Sequence, residues 1–174
     1  ALQARVGLGE VTDGRHVGEF SVAELIPEAL RQNLARLVVG EVRGVEAGAM
    51  FEAMQSGAGT LSTTHSHSAV STMDRLAARV AQGGVLTVDE AYRQIAMHIG
   101  LIVHVHLVDD TWRGGIRTRK VSQVIALTGA IEGNRPVTHL VYQAENEVES
   151  ARFQPEPRMM DELAPFLVSW RAAA

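Results

Sequence analysis

Short apolar runs and amphipathic stretches alternate along this chain, and their periods separate strands from helices. Leu37–Val39 and Thr60–Thr64 are brief apolar or β-branched runs and predict strands. The first is wholly apolar, the kind of run buried on both faces of a parallel sheet. Leu101–Val108, Lys120–Leu127 and Val137–Tyr142 predict further strands, and the first two of these pair as a hairpin across Asp109–Gly115. Ala130–Arg135 is a second turn, and Ala1–Val6 alternates weakly as a candidate strand. Gly7–Gly18 is a loop with Asp13-Gly14 as its turn signal.

Helical periods fill the gaps. Ser21-Val22-Ala23-Glu24 is a capping box opening a helix that carries Leu25, Ala29, Leu30 and Leu34, with Pro27 tolerated in the first turn. Glu46–Ser56 predicts a helix with Ala49, Met50, Ala53 and Met54 inward, ended by Gly57. Ser68 caps a helix to about Gln82, with Met73, Leu76, Ala77 and Val80 on one face and Gly83-Gly84 as its stop. Thr87-Val88-Asp89-Glu90 is another capping box, leading through Ile95 and Ile99. Ala144–Pro157 reads as an acidic linker and Met160–Trp170 as a terminal helix interrupted by Pro165. The order strand, helix, strand, then hairpin predicts an α/β fold. Its sheet is partly parallel, flanked by helices, with an antiparallel hairpin at the edge.

Composition narrows the classes. The 174 residues suit one domain with a real core. A net charge of −4 and a pI near 6.0 give no global basic field for nucleic acid. Cysteine is absent, which excludes disulfides and thiolate metal sites and fits a reducing compartment. No apolar run approaches the ~18 residues of a membrane span.

The chemistry concentrates at two strand ends. Arg36-Leu37-Val38-Val39-Gly40-Glu41-Val42-Arg43-Gly44 ends one apolar run in a carboxylate, and Gly59-Thr60-Leu61-Ser62-Thr63-Thr64-His65 ends the next in an imidazole. A glutamate there can orient or deprotonate a water attacking a phosphate, or reach Mg²⁺ through water. Arg43 can contact a phosphate or an acidic neighbour, and a histidine can hydrogen-bond a terminal phosphate. No G-x-x-x-x-G-K-[ST] loop accompanies them, and the one lysine is Lys120.

Those two runs, with Ala47-Gly48-Ala49-Met50-Phe51-Glu52-Ala53-Met54 between them and Ser66-His67-Ser68-Ala69 after them, resemble the secretion ATPase superfamily. Its members are hexameric motors of type II and type IV secretion, conjugation and pilus assembly. The likeness is greatest to the tight-adherence (CpaF-like) ATPases. The family's Walker B pattern matches Val38–Arg43 and its histidine box matches Ser62–Ser68. Tyr92–Ala96 and Leu101–His104 resemble a later helix-to-strand segment. The resemblance implies a RecA-like core whose phosphate loop lies upstream of Ala1. It makes Glu41 the catalytic carboxylate and His65 the γ-phosphate sensor, with Gly40, Arg43 and Arg5 near the nucleotide. It also implies ATP and Mg²⁺ in the complete protein, which is cytoplasmic and docks on an inner-membrane platform protein. No direct nucleic-acid contact is expected. Residues 1–143 would be the C-terminal portion of the core, 144–158 a linker and 159–174 a helical tail. His67 stands where the family has asparagine, and Leu34-Ala35 where Pro-Asp is usual.

Two other readings compete. Thr64-His65-Ser66-His67 resembles the opening of the metallo-β-lactamase pattern, and His104-x-His106 repeats its spacing with His98 nearby, which points to a metal-dependent hydrolase. Ala69 and Val70 occupy the Asp-His positions of that pattern. His104 and His106 alternate with Val103, Val105 and Leu107 and are expected on the less buried face of their strand. A non-catalytic interaction module is the remaining alternative. Its candidate surfaces are Met50, Met54 and Met73, and the basic run Trp112–Lys120, which read more simply as core packing and a solvated hairpin tip.

Overall fold

The computed structural model describes residues 1–44, 46–56 and 59–144, and the backbone of 152–153. The elements run β1 (Val11–Thr12), β2 (Arg15–His16), α1 (Val22–Leu30), β3 (Arg36–Val39), α2 (Glu46–Gln55), β4 (Gly59–Ser62), α3 (Ala69–Gln82), α4 (Val88–His98), β5 (Leu101–Asp109), β6 (Arg117–Glu132), β7 (Arg135–Gln143) and β8 (Arg152–Phe153). A 3₁₀ turn at Thr111–Arg113 sits between β5 and β6. The Gly57 stop, most of the predicted linker and the predicted tail helix lie outside the described residues.

The mixed α/β class expected from the sequence is present. β3 and β4 pair in parallel, with Val39 opposite Ser62, and α2 crosses between them. β5–β8 form a separate antiparallel sheet in sequence order. α1 packs on α2, α3 and α4 pack on the antiparallel sheet, and α2 touches both α3 and α4, so one apolar cluster joins the two sheets. Met50, Phe51, Ile95, Ile125, Val42 and Val80 are its largest fully buried side chains.

All three predicted N-caps form. Ser21 and Thr87 each exchange hydrogen bonds with a glutamate three residues on, and Ser68 does so with Ser71. α1 stops at Leu30 with Arg31 as its C-cap, and Asn33, with φ 52°, then turns the chain. Leu34 therefore reaches the core from a loop, and Ile26 and Ala29 supply the helix's buried face. Asp13-Gly14 makes the expected turn inside a small β1–β2 hairpin, with both residues at positive φ. Ala1–Val6 forms no strand; its one ladder contact is an isolated bridge between Arg5 and Phe20.

Two expectations of burial are corrected. Leu37 and Val39 are buried, but Val38 is 66% exposed and its cross-strand partner Leu61 65% exposed. A strand shows alternate residues to opposite faces, and only one face of this pair is covered by helices. In β5 Leu101, Val103, Val105 and Leu107 are exposed along with the expected His106, whereas His104 is half-buried on the side of Ile102. The alternation was legible; which face the helices cover was not.

Candidate functional site

β3 and β4 deliver Glu41 and His65 to adjacent ends of one parallel pair. Pairing continues past the regular strands, because the Val42 N–H donates to the Thr63 carbonyl at 2.8 Å. Two threonine hydroxyls add stitches: Thr63 Oγ1 donates to the Gly40 carbonyl at 2.6 Å, and Thr64 Oγ1 to that of Val42 at 3.0 Å. These bonds fix the two chain segments relative to each other one residue before His65.

Glu41 sits between the Arg43 guanidinium and the His65 imidazole. Its Oε2 is 2.6 Å from Arg43 Nη2 and its Oε1 is 3.3 Å from His65 Nε2. Arg43 hydrogen-bonds the carboxylate, and with the charges of Arg43, His65 and Arg79 it holds the Glu41 pKa below the ordinary carboxylate range against partial desolvation. Glu41 is three-quarters covered while the His65 ring is 84% exposed, so the imidazole faces solvent from an anchored loop. Arg43 has therefore taken the acidic neighbour. At Gly40 a Cβ would meet nothing within 4 Å, which leaves open space beside the carboxylate.

Glu46, at the start of α2, braces the same turn. Its Oε1 accepts the backbone N–H groups of Arg43 and Gly44. Burial works against its ionisation, but those donors and the nearby Arg79 prevail and lower its pKa. The sequence pattern passes over Glu46, Thr63 and Thr64 because each works through backbone atoms that no side-chain motif records. Arg5 lies apart: it pairs through its backbone with Phe20 and makes no ion pair with Glu41 among the described residues. His67 and His106 are exposed, and His98 and His139 half-buried. No three His, Asp or Glu side chains converge in metal-binding geometry among the described residues. Met50 and Met73 are buried in the core, and Trp112, 76% exposed, stacks under Arg113 at the hairpin tip.

A carboxylate kept ionised beside an exposed imidazole, on neighbouring parallel strand ends, is an arrangement able to polarise a water molecule. The Type II/IV secretion system protein family matches residues 3–146, and the chain belongs to that family. An uncharacterised protein of Methanocaldococcus jannaschii is 28% identical over 149 residues, 86% of this chain and 52% of that protein. A putative conjugal transfer protein of Mycobacterium tuberculosis is 35% identical over 92 residues, 51% of this chain and 25% of that protein. The chain thus spans about half of one curated relative (52%) and a quarter of the other (25%). The crystal structure of the VirB11 ATPase from the Brucella suis type IV secretion system, in complex with sulphate, superposes with a TM-score of 0.52 at 28% identity, covering 60% of this chain and 31% of that one.

Proposed function

We propose that this chain is the C-terminal portion of a hexameric ATP-hydrolysing motor that drives type II or type IV secretion or pilus assembly. The observation that carries the reading is the 3.3 Å contact between Glu41 and His65 at the ends of adjacent parallel strands. Residues 1–143 are read as the C-terminal part of a RecA-like core, 144–158 as a linker and 159–174 as a helical tail. The phosphate-loop half lies upstream and packs on the uncovered face that exposes Val38 and Leu61.

In this reading ATP binds between the two halves. Glu41, ionised at neutral pH, orients and deprotonates the attacking water. His65 hydrogen-bonds the γ-phosphate and changes partner when it leaves, which couples hydrolysis to movement. Gly40 leaves room for the nucleotide, Arg43 keeps Glu41 charged, and Arg5 meets the nucleotide from the N-terminal segment. An anionic, partly exposed carboxylate fits Mg²⁺ held through water, and the ion would neutralise phosphate charge. The complete protein forms a cytoplasmic ring against an inner-membrane platform protein. No helix of the described residues is long and apolar enough to cross a membrane.

Steady-state ATP turnover by the full-length protein tests the proposal. Glu41→Gln should lower kcat by about 10²- to 10⁴-fold, the range of general-base catalysis, and leave nucleotide binding largely intact. A near wild-type kcat in that variant would remove Glu41 from the chemistry.

A further inference from the structure

His104, which alternation along β5 assigns to an ordinary strand surface, is bonded through both ring nitrogens. Its Nε2 is 3.2 Å from the Ser66 carbonyl and its Nδ1 is 2.6 Å from Ser122 Oγ. A carbonyl only accepts, so Nε2 carries the proton. The Ser122 hydroxyl also lies 3.2 Å from the His104 carbonyl, but its single proton serves the shorter contact to Nδ1.

The register explains why these groups meet. His104 pairs with Gln123 and Val105 with Val121, so Ser122 is the extra residue of a β-bulge. A bulge places two residues opposite one and re-aims their side chains. Gln123 uses the new direction: its Oε1 accepts the backbone N–H of Ala69, the first residue of α3, at 3.1 Å. Its Nε2 donates to Gln143 Oε1 on β7 at 3.1 Å, which fixes the amide's orientation. One cross-strand pair therefore grips Ser66 and Ala69, at the two ends of the segment that follows His65. The segment is also joined to the first turn of α3 by hydrogen bonds linking the Ser66 and Ser68 hydroxyls with that of Ser71.

We propose that His104 and Gln123 are positioning residues that hold the His65 loop against Glu41 and tie it to the β5–β6 hairpin. The loop's other anchors, through Thr63 and Thr64, precede His65. Among the described residues, the chain after His65 is otherwise held by its serine network and α3. The hairpin and the loop then move as one body, so a displacement of either is felt at Glu41. The consequence for turnover rests on the ATPase reading proposed above; the placement of the ring does not.

Two readouts separate those claims. The first is the ring nitrogen resonances of His65 in this chain, compared with and without Glu41→Gln. The His65 signals should respond to Glu41→Gln in the wild type and lose that response in His104→Leu. The response should return in His104→Gln, whose amide still donates toward Ser66. Gln123→Leu, which frees the other end of the segment, should weaken it independently, and circular dichroism checks that each variant is folded. An unchanged response in folded His104→Leu and Gln123→Leu overturns the proposal. The second readout is ATP turnover by the full-length protein. His104→Leu should lower kcat by about 10- to 100-fold, the scale of a small misplacement, with KM little changed and rescue by His104→Gln. A KM effect alone, or no rescue, also overturns it. A wild-type protein that fails to hydrolyse ATP would instead sink the ATPase reading and leave the resonance test standing.

Discussion

Arg43 stands two residues after Glu41 and folds back onto it, so charge state and geometry at the site are set by one ion pair. Because the pair lowers the Glu41 pKa, removing it should let that pKa rise toward its ordinary value. Arg43→Gln should therefore shift the acid limb of the full-length protein's pH–rate profile to higher pH; an unmoved limb would separate Arg43 from Glu41. Glu24 gives a matching test of stability. Hydrogen bonds from Arg15 and from the Ser21 backbone and hydroxyl lower its pKa from 4.5 to about 2. A carboxylate depressed in the folded state stabilises fully above its unfolded pKa and loses that contribution as pH falls through the folded one. Glu24→Gln should lower Tm at neutral pH, with the difference shrinking between 4.5 and about 2. Equal shifts at both ends of that range would contradict the assignment. Glu41, His65 and Arg43 were legible because titratable residues ending apolar runs form a pattern. His104 was not, because its role depends on which face of β5 the helices cover and on a bulge in the partner strand.

Elements followed the sequence wherever a cap or a turn fixed them. The boxes at Ser21 and Thr87 and the turn at Asp13-Gly14 are local and form as written. Contacts distant in sequence were harder. β6 extends to Arg117 and Glu132, beyond the predicted Lys120–Leu127, because pairing with β5 and β7 recruits residues with no strand signal of their own. α2 shows the same limit. Its packing buries Phe51, Ala47 and Gly48 beside the expected Met50 and Ala53, because α1, α3 and α4 enclose it on several sides. Phe51 is 1% exposed. Phe51→Ala should destabilise the fold by about 3–5 kcal/mol through lost burial and a residual cavity. Urea unfolding measures this, and a loss under about 1 kcal/mol would mean that α2 does not organise the core.

At the scale of the whole molecule, the parallel pair is covered on one side and exposes Val38 and Leu61 together on the other. In the proposed motor this is the face that receives the phosphate-loop half. Val38→Glu should then cost this chain alone no more than about 0.5 kcal/mol, as exposed substitutions do, yet impair nucleotide binding in the full-length protein. Equal tolerance in both would leave the face without the proposed occupant. The family match fixes the class of the chain, and the stitched strand ends hold the geometry on which the proposed chemistry rests. The most direct measurement is an acid-quenched single turnover of ATP by the full-length protein, which reports cleavage apart from product release. The account predicts that wild type converts bound ATP to ADP while Glu41→Gln holds it intact. Cleavage at the same rate in both would contradict the account.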